Sequence, residues 1–151
     1  MPIDPATVLL LSALAMAPLN KEVPATYVRN YDGDTVTLTA RLLPNRVFEE
    51  VDYRIRNIDT AEINGQCDYE KNLAIAARRA TSDMLKRPNA DIRLFLFGEV
   101  DKYGRPLAQI TVNGEDLGEK LIEMQLARRW DGARRPWCAI PTSPTKPGNV
   151  P

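Results

Sequence analysis

Val51-Asp52-Tyr53-Arg54-Ile55-Arg56-Asn57-Ile58-Asp59-Thr60-Ala61-Glu62 reads as a strand that ends in a cluster of oxygen ligands. Val51, Tyr53 and Ile55 alternate with Asp52, Arg54 and Arg56, the period-2 pattern of a strand with one apolar face. Asp59, Thr60 and Glu62 follow; as a group they are better ligands and bases than strand formers. An arginine and two carboxylates at one strand end are the materials of phosphate and metal chemistry.

Working outward toward the N-terminus, Thr26 to Tyr31 reads as a strand, Asp32-Gly33-Asp34 as a turn, and Thr35 to Leu43 as a second strand. Pro44-Asn45 turns the chain into the strand that carries Arg54. Toward the C-terminus, Asn64-Gly65 marks a loop. A helix then runs from about Tyr69 to Lys86, with Leu73, Ala76, Ala77, Ala80 and Met84 as its apolar stripe. Ile92 to Phe97 and Leu107 to Val112 are two more strands, joined by the turn Asp101-Lys102-Tyr103-Gly104-Arg105. After Asn113-Gly114 comes a short helix from about Glu115 to Ala127, with Leu117, Leu121 and Met124 inward. The order βββ-α-ββ-α predicts an α+β, mainly β domain built on a five-stranded OB-type barrel.

With 151 residues, 44% of them hydrophobic, the chain has room for one domain with a real core and not for two ordinary ones. The formal net charge is zero, so a grip on a polyanion has to come from local cations. Histidine is absent. That excludes Ser-His-Asp and Cys-His catalysis, histidine-ligated zinc and an imidazole base. Acid–base work falls to carboxylate, Lys, Tyr or water, and a catalytic metal to oxygen ligands, which favours Ca²⁺ or Mg²⁺. The two cysteines, Cys67 and Cys138, form no CxxC motif.

Residues 1–24 read as an export signal or N-terminal anchor. The apolar run 6–17 is too short to span a bilayer, and Ala15-Met16-Ala17 has the small-x-small form of a cleavage site. No Lys or Arg precedes the run and Pro18 follows it, so an N-terminal helix packed on the domain is the alternative. Residues 25–138 form the domain and 139–151 a Pro-rich, disordered tail.

Asp32-Gly33-Asp34-Thr35, Arg54 to Glu62, Asp101 to Arg105 and Ala127-Arg128-Arg129-Trp130 together resemble, in order, spacing and residue type, the staphylococcal nuclease (thermonuclease) family. The resemblance covers about Ala25 to Cys138. It implies an OB barrel with about three helices that cleaves DNA and RNA phosphodiesters with Ca²⁺, leaving 3′-phosphate ends. It further implies that Asp34, Asp59 and Thr60 hold the metal, that Glu62 serves the attacking water, and that Arg54 and Arg105 grip the scissile phosphate. Lys102 and Tyr103 match residues near the substrate's terminal phosphate, and Trp130 stands where the family often has a tyrosine flanking base or sugar.

The Gly-x-Cys at Gly65-Gln66-Cys67 and the terminal Trp137-Cys138 resemble exported bacterial relatives. That resemblance implies a Cys67–Cys138 disulfide and a monomer located in the periplasm or secreted. Besides Trp130, two features depart from the family pattern. Ala61 replaces a common proline, which predicts a looser Glu62 loop. The neutral charge places the burden of binding on the local arginines, with Arg128, Arg129, Arg134 and Arg135 as a possible basic rim. The rival reading is a barrel that binds nucleic acid, or another partner, without cleaving it.

Overall fold

A computed structural model of the protein describes residues 4–5 and 22–139. The expected leader and tail fall almost wholly outside the described residues. The elements are β1 (Val23–Asn30), β2 (Thr35–Leu43), β3 (Arg46–Ile55), β4 (Ile58–Thr60), α1 (Asp68–Leu85), β5 (Ile92–Val100), β6 (Pro106–Val112), β7 (Glu115–Asp116), α2 (Leu117–Glu123) and β8 (Ala127–Arg129). β1 begins at Val23, ahead of the expected start, because Val23 to Ala25 pair with Ile92 to Leu94 of β5.

β1, β2 and β3 form an antiparallel meander, and β5 joins β1 to β6. β3 and β6 then pair in parallel at Arg54↔Leu107 and Ile55↔Ala108. That pairing closes a mainly antiparallel five-stranded barrel, as expected for an OB fold. Inside, Val36, Leu38, Tyr53, Leu94, Leu96 and Ile110 are almost completely removed from water. The alternation of the opening stretch is realised: Val51, Tyr53 and Ile55 are buried while Asp52 is exposed. Burial pushes the Tyr53 hydroxyl above its ordinary range, so it stays neutral in the core.

α1 starts at Cys67, an extended N-cap (φ −146°) whose sulphur faces the Glu70 amide. Its buried face is Ala74, Ala77, Ala80, Thr81, Met84 and Leu85. Leu73 is partly buried and Ala76 exposed, so the stripe is rotated from the expected one. Ala74 is buried in a cluster with Ala61 and Trp137, and the following turns pack closely on the loop between β1 and β2. A Cβ on Gly33 would lie 2.7 Å from the Ala77 Cβ, and Thr81 donates to the Gly33 carbonyl at 2.8 Å. Only the small side of the helix fits there.

α2 stops at Glu123, short of the expected end, and Met124 is half exposed rather than inward. Gln125 takes φ 60°, its amide bonds the Ile122 carbonyl, and the Leu126 amide bonds the Leu121 carbonyl at 2.8 Å. This is a Schellman ending with glutamine in the left-handed position. It frees Ala127 to Arg129 to form β8, which pairs with β4. Among the described residues no helix is long and apolar enough to cross a membrane.

Candidate active site

The loop after β1 is set by Asp32. Its Oδ1 accepts the amides of Asp34 (3.1 Å) and Thr35 (2.9 Å). Asn30 ties the same loop to α1 by donating to the carbonyls of Asp32 and Arg78. Asp34 is thereby fixed facing β4, where its Oδ2 accepts the Thr60 amide at 2.9 Å. Burial, with Asp34 adding like charge, pushes the Asp32 carboxyl up to about 7.

Arg54 leaves β3 into the same space. Its Nη1 lies 2.5 Å from Asp34 Oδ2, a charge contact off the hydrogen-bond angle. Its Nη2 donates to the Ile58 carbonyl at 3.1 Å and lies 3.7 Å from Asp59 Oδ1. Asp59 Oδ2 accepts from the Trp137 indole at 3.3 Å. Burial raises Asp59 above the usual carboxylate range. Asp34 adds to the rise, while Arg134, the indole N–H and Arg54 offset part of it.

Glu62 sits on a turn organised from α1. Glu70, itself buried, accepts the Glu62 and Gln66 amides at 3.4 and 2.9 Å. A Cβ on Gly65 would lie 2.6 Å from the Glu70 side chain, so glycine is needed for this approach. Arg105 comes from the β5–β6 turn. Its Nε is 2.6 Å from Asp101 Oδ2, and its Nη1 donates to Thr35 Oγ1 at 3.1 Å. The Asp101 Oδ1 accepts the Tyr103 and Arg105 amides. Burial opposes ionisation of Asp101, but those amides and the Arg105 guanidinium outweigh it and hold the carboxyl low.

These segments line one open groove of about 690 Å³. Asp34, Arg54, Asp59, Glu62, Lys102, Tyr103, Arg105 and Trp130 all border it. Thr60 lies behind the wall, buried, bonded to Asp34 through its amide. Tyr103 and Trp130 are exposed at the rim, with Lys102 and Arg105 against the Tyr103 ring at 5.0 and 5.2 Å.

Cys67 and Cys138 are joined in a disulfide across 71 positions, Cα to Cα 6.0 Å. Among the described residues the one trio of metal-donor types within 4.8 Å of each other is Cys67, Glu70 and Cys138. Both sulphurs are spent on each other, so that trio offers no thiolate. The disulfide holds the segment 131–138 against the Glu62 loop. Arg134 Nη1 meets Glu62 Oε1 at 2.6 Å, and its Nη2 is 3.8 Å from Glu70.

Three residues of this arrangement were not expected in these positions. Glu70 as organiser of the Glu62 turn, Arg134 as partner of Glu62 and Trp137 as donor to Asp59 all depend on tertiary contact. A signal for Arg134 was present: once Cys67 and Cys138 are joined, positions a few residues ahead of each must be neighbours. Of the other basic-rim residues, Arg129 is taken up by Glu119, Arg135 by Asp131, and Arg128 by the Trp137 ring and the Pro136 carbonyl.

A family model described as staphylococcal nuclease homologue matches residues 52–137. The match runs from the middle of β3 to the strap that carries Trp137, and so takes in Arg54, Asp59, Glu62 and Arg105 while Asp34 lies before it. It covers more than half of the chain, and on that match, with the closed barrel that goes with it, the chain belongs to the staphylococcal nuclease homologue family.

Proposed function

We propose that the protein is a Ca²⁺-dependent nuclease that hydrolyses phosphodiesters of DNA and RNA and leaves 3′-phosphate ends. The reading is carried by the convergence of Asp34, Arg54, Asp59, Glu62 and Arg105 on one groove from separate parts of the chain. Family membership supports nucleic acid as the substrate class.

The donor set fits a hard cation. Asp34 and Asp59 are both buried, and burial, with the like charge of Asp34 adding to it, raises Asp59; Thr60 would add a backbone carbonyl to that set. A bound Ca²⁺ would supply positive charge for phosphate oxygens and a place for water, without acting as an acid or base. The rest belongs to the chain. Glu62 accepts a proton from the attacking water as its oxygen bonds to phosphorus. The bond from phosphorus to the 5′ oxygen breaks, and that oxygen takes up a proton from solvent. Arg54 and Arg105 offer paired N–H donors to the other phosphate oxygens as charge builds on them. Arg54 is the counter-charge of Asp34 and Asp59, and is available to a phosphate once their charge is met otherwise.

Lys102 and Tyr103, at the groove mouth, suit a terminal phosphate, and Trp130 a base or sugar face. The disulfide favours an oxidising compartment, which agrees with an exported or periplasmic monomer. The test is digestion of plasmid and single-stranded DNA and of RNA with Ca²⁺, with EGTA and with Mg²⁺. Cleavage with Ca²⁺ that EGTA abolishes supports the reading. No cleavage with Ca²⁺ between about pH 7 and 10 would leave a nucleic-acid-binding barrel instead.

A further inference from the structure

We infer that Trp137 is a positioning residue for Asp59, held in place by the C-terminal strap that the Cys67–Cys138 disulfide fastens. The inference rests on the reading of Asp59 as a metal ligand.

Trp137 is buried, but outside the barrel core. It sits in a separate cluster with Ala61, Ala74, Ile63 and Leu73. One ring face is covered by the Arg128 guanidinium, 3.6 Å from the ring centroid, and Arg128 also donates to the Pro136 carbonyl at 3.0 Å. The adjacent Cys138 is bonded to Cys67, the N-cap of α1. The indole is therefore gripped by its ring, by its neighbour's backbone and by the covalent link beside it.

What that grip delivers is a single N–H, 3.3 Å from Asp59 Oδ2. Tryptophan has one donor and no acceptor, so it can fix one carboxylate oxygen and nothing more. Asp59 Oδ1 faces Arg54 at 3.7 Å. With Oδ2 held, the carboxylate plane is set and the remaining lone pairs are left for a cation. Partners of this kind orient ligating carboxylates and tune metal affinity. The same indole lies against Ala61, which is 1% exposed. Packing from the strap thus stiffens the Asp59–Glu62 segment where a proline is missing.

A purely structural tryptophan would act through its ring alone. Trp137→Phe keeps an aromatic ring and removes the N–H. Calorimetric titration of the metal-free protein with Ca²⁺ should give a Kd for this variant weakened roughly tenfold or more. The double variant Cys67→Ser/Cys138→Ser keeps the indole and a capping residue for α1 but releases the strap, and its Ca²⁺ affinity should fall in the same direction. Ca²⁺ binding by both variants within twofold of wild type would overturn the inference and leave the metal reading standing. No Ca²⁺ binding by the wild-type protein would remove the metal reading, and this inference with it.

Discussion

Arg134 Nη1 lies 2.6 Å from Glu62 Oε1, although the two residues are 72 positions apart. Both side chains are nearly half exposed, at 46% and 45%, so the pair contributes at most about 1 kcal/mol. It steadies Glu62 without locking it, and it adds a fourth guanidinium, beside Arg54, Arg56 and Arg105, to a groove on a neutral protein. Arg134→Ala should therefore raise KM for polymer several-fold with little change in kcat, and reduce the slope of log affinity against log salt by roughly one. Steady-state kinetics over a salt series reads both quantities. An unchanged salt slope would place Arg134 outside the substrate path.

Glu62→Gln separates the base from the fold. Its half-exposed side chain pairs with Arg134, so the substitution costs little packing. The expected result is a fall in kcat of about 10²–10⁴-fold with the melting temperature within a degree or two. Single-turnover cleavage with saturating Ca²⁺ measures it, and retained full rates would move the base elsewhere.

Arg54 has a structural duty as well as the proposed catalytic one. Its guanidinium is the cation between Asp34 and Asp59, and all three side chains are largely buried. Arg54→Ala should destabilise the metal-free protein by about 3 kcal/mol, the usual loss when one partner of a buried ion pair goes. Ca²⁺ should then raise the melting temperature by more in the variant than in wild type, because it restores the missing charge. Thermal melts with and without Ca²⁺ give the comparison. A smaller increase in the variant would contradict this division of labour.

The β5–β6 turn carries a pH signature. Asp101 is held below its ordinary value by the Arg105 and Tyr103 amides and the Arg105 guanidinium, which outweigh its burial. A depressed carboxylate stabilises the fold above its unfolded value, and that stability is lost as pH falls through the folded one. Asp101→Asn should therefore cost on the order of 2 kcal/mol at pH 7 and progressively less as the solution is acidified below about pH 4. Denaturant melts across that window would show the two curves converging.

The barrel was legible because Val51 to Ile55 alternates cleanly and because turn residues stand between each strand pair. Asn113-Gly114, with φ 52° and 80°, is the two-residue hairpin turn its sequence announces. Legibility failed where a distant contact outranks local pattern. Ala76 suits a buried stripe as well as Ala74 does, yet it is Ala74 that shares a buried cluster with Ala61 and the distant Trp137. Met124 fits the apolar spacing of α2, yet the chain needed to leave the helix there so that β8 could reach β4. In the site, Arg54, Asp59 and Glu62 are near in sequence and could be read together. Glu70, Arg134 and Trp137 take their positions from the disulfide and the packing of α1, for which no local pattern exists.

The parallel register of Arg54 with Leu107 and the bond from Cys67 to Cys138 impose an order of events on synthesis. A growing chain exposes the opening strand long before the residues that close the barrel, and the strap comes later still. Contacts this far apart in sequence form late. On the proposed function, the nascent chain would thus carry its arginine, its carboxylates and its base as an unassembled kit. By that reading it would become dangerous to nucleic acid only when the strap has emerged and its cysteines have been oxidised.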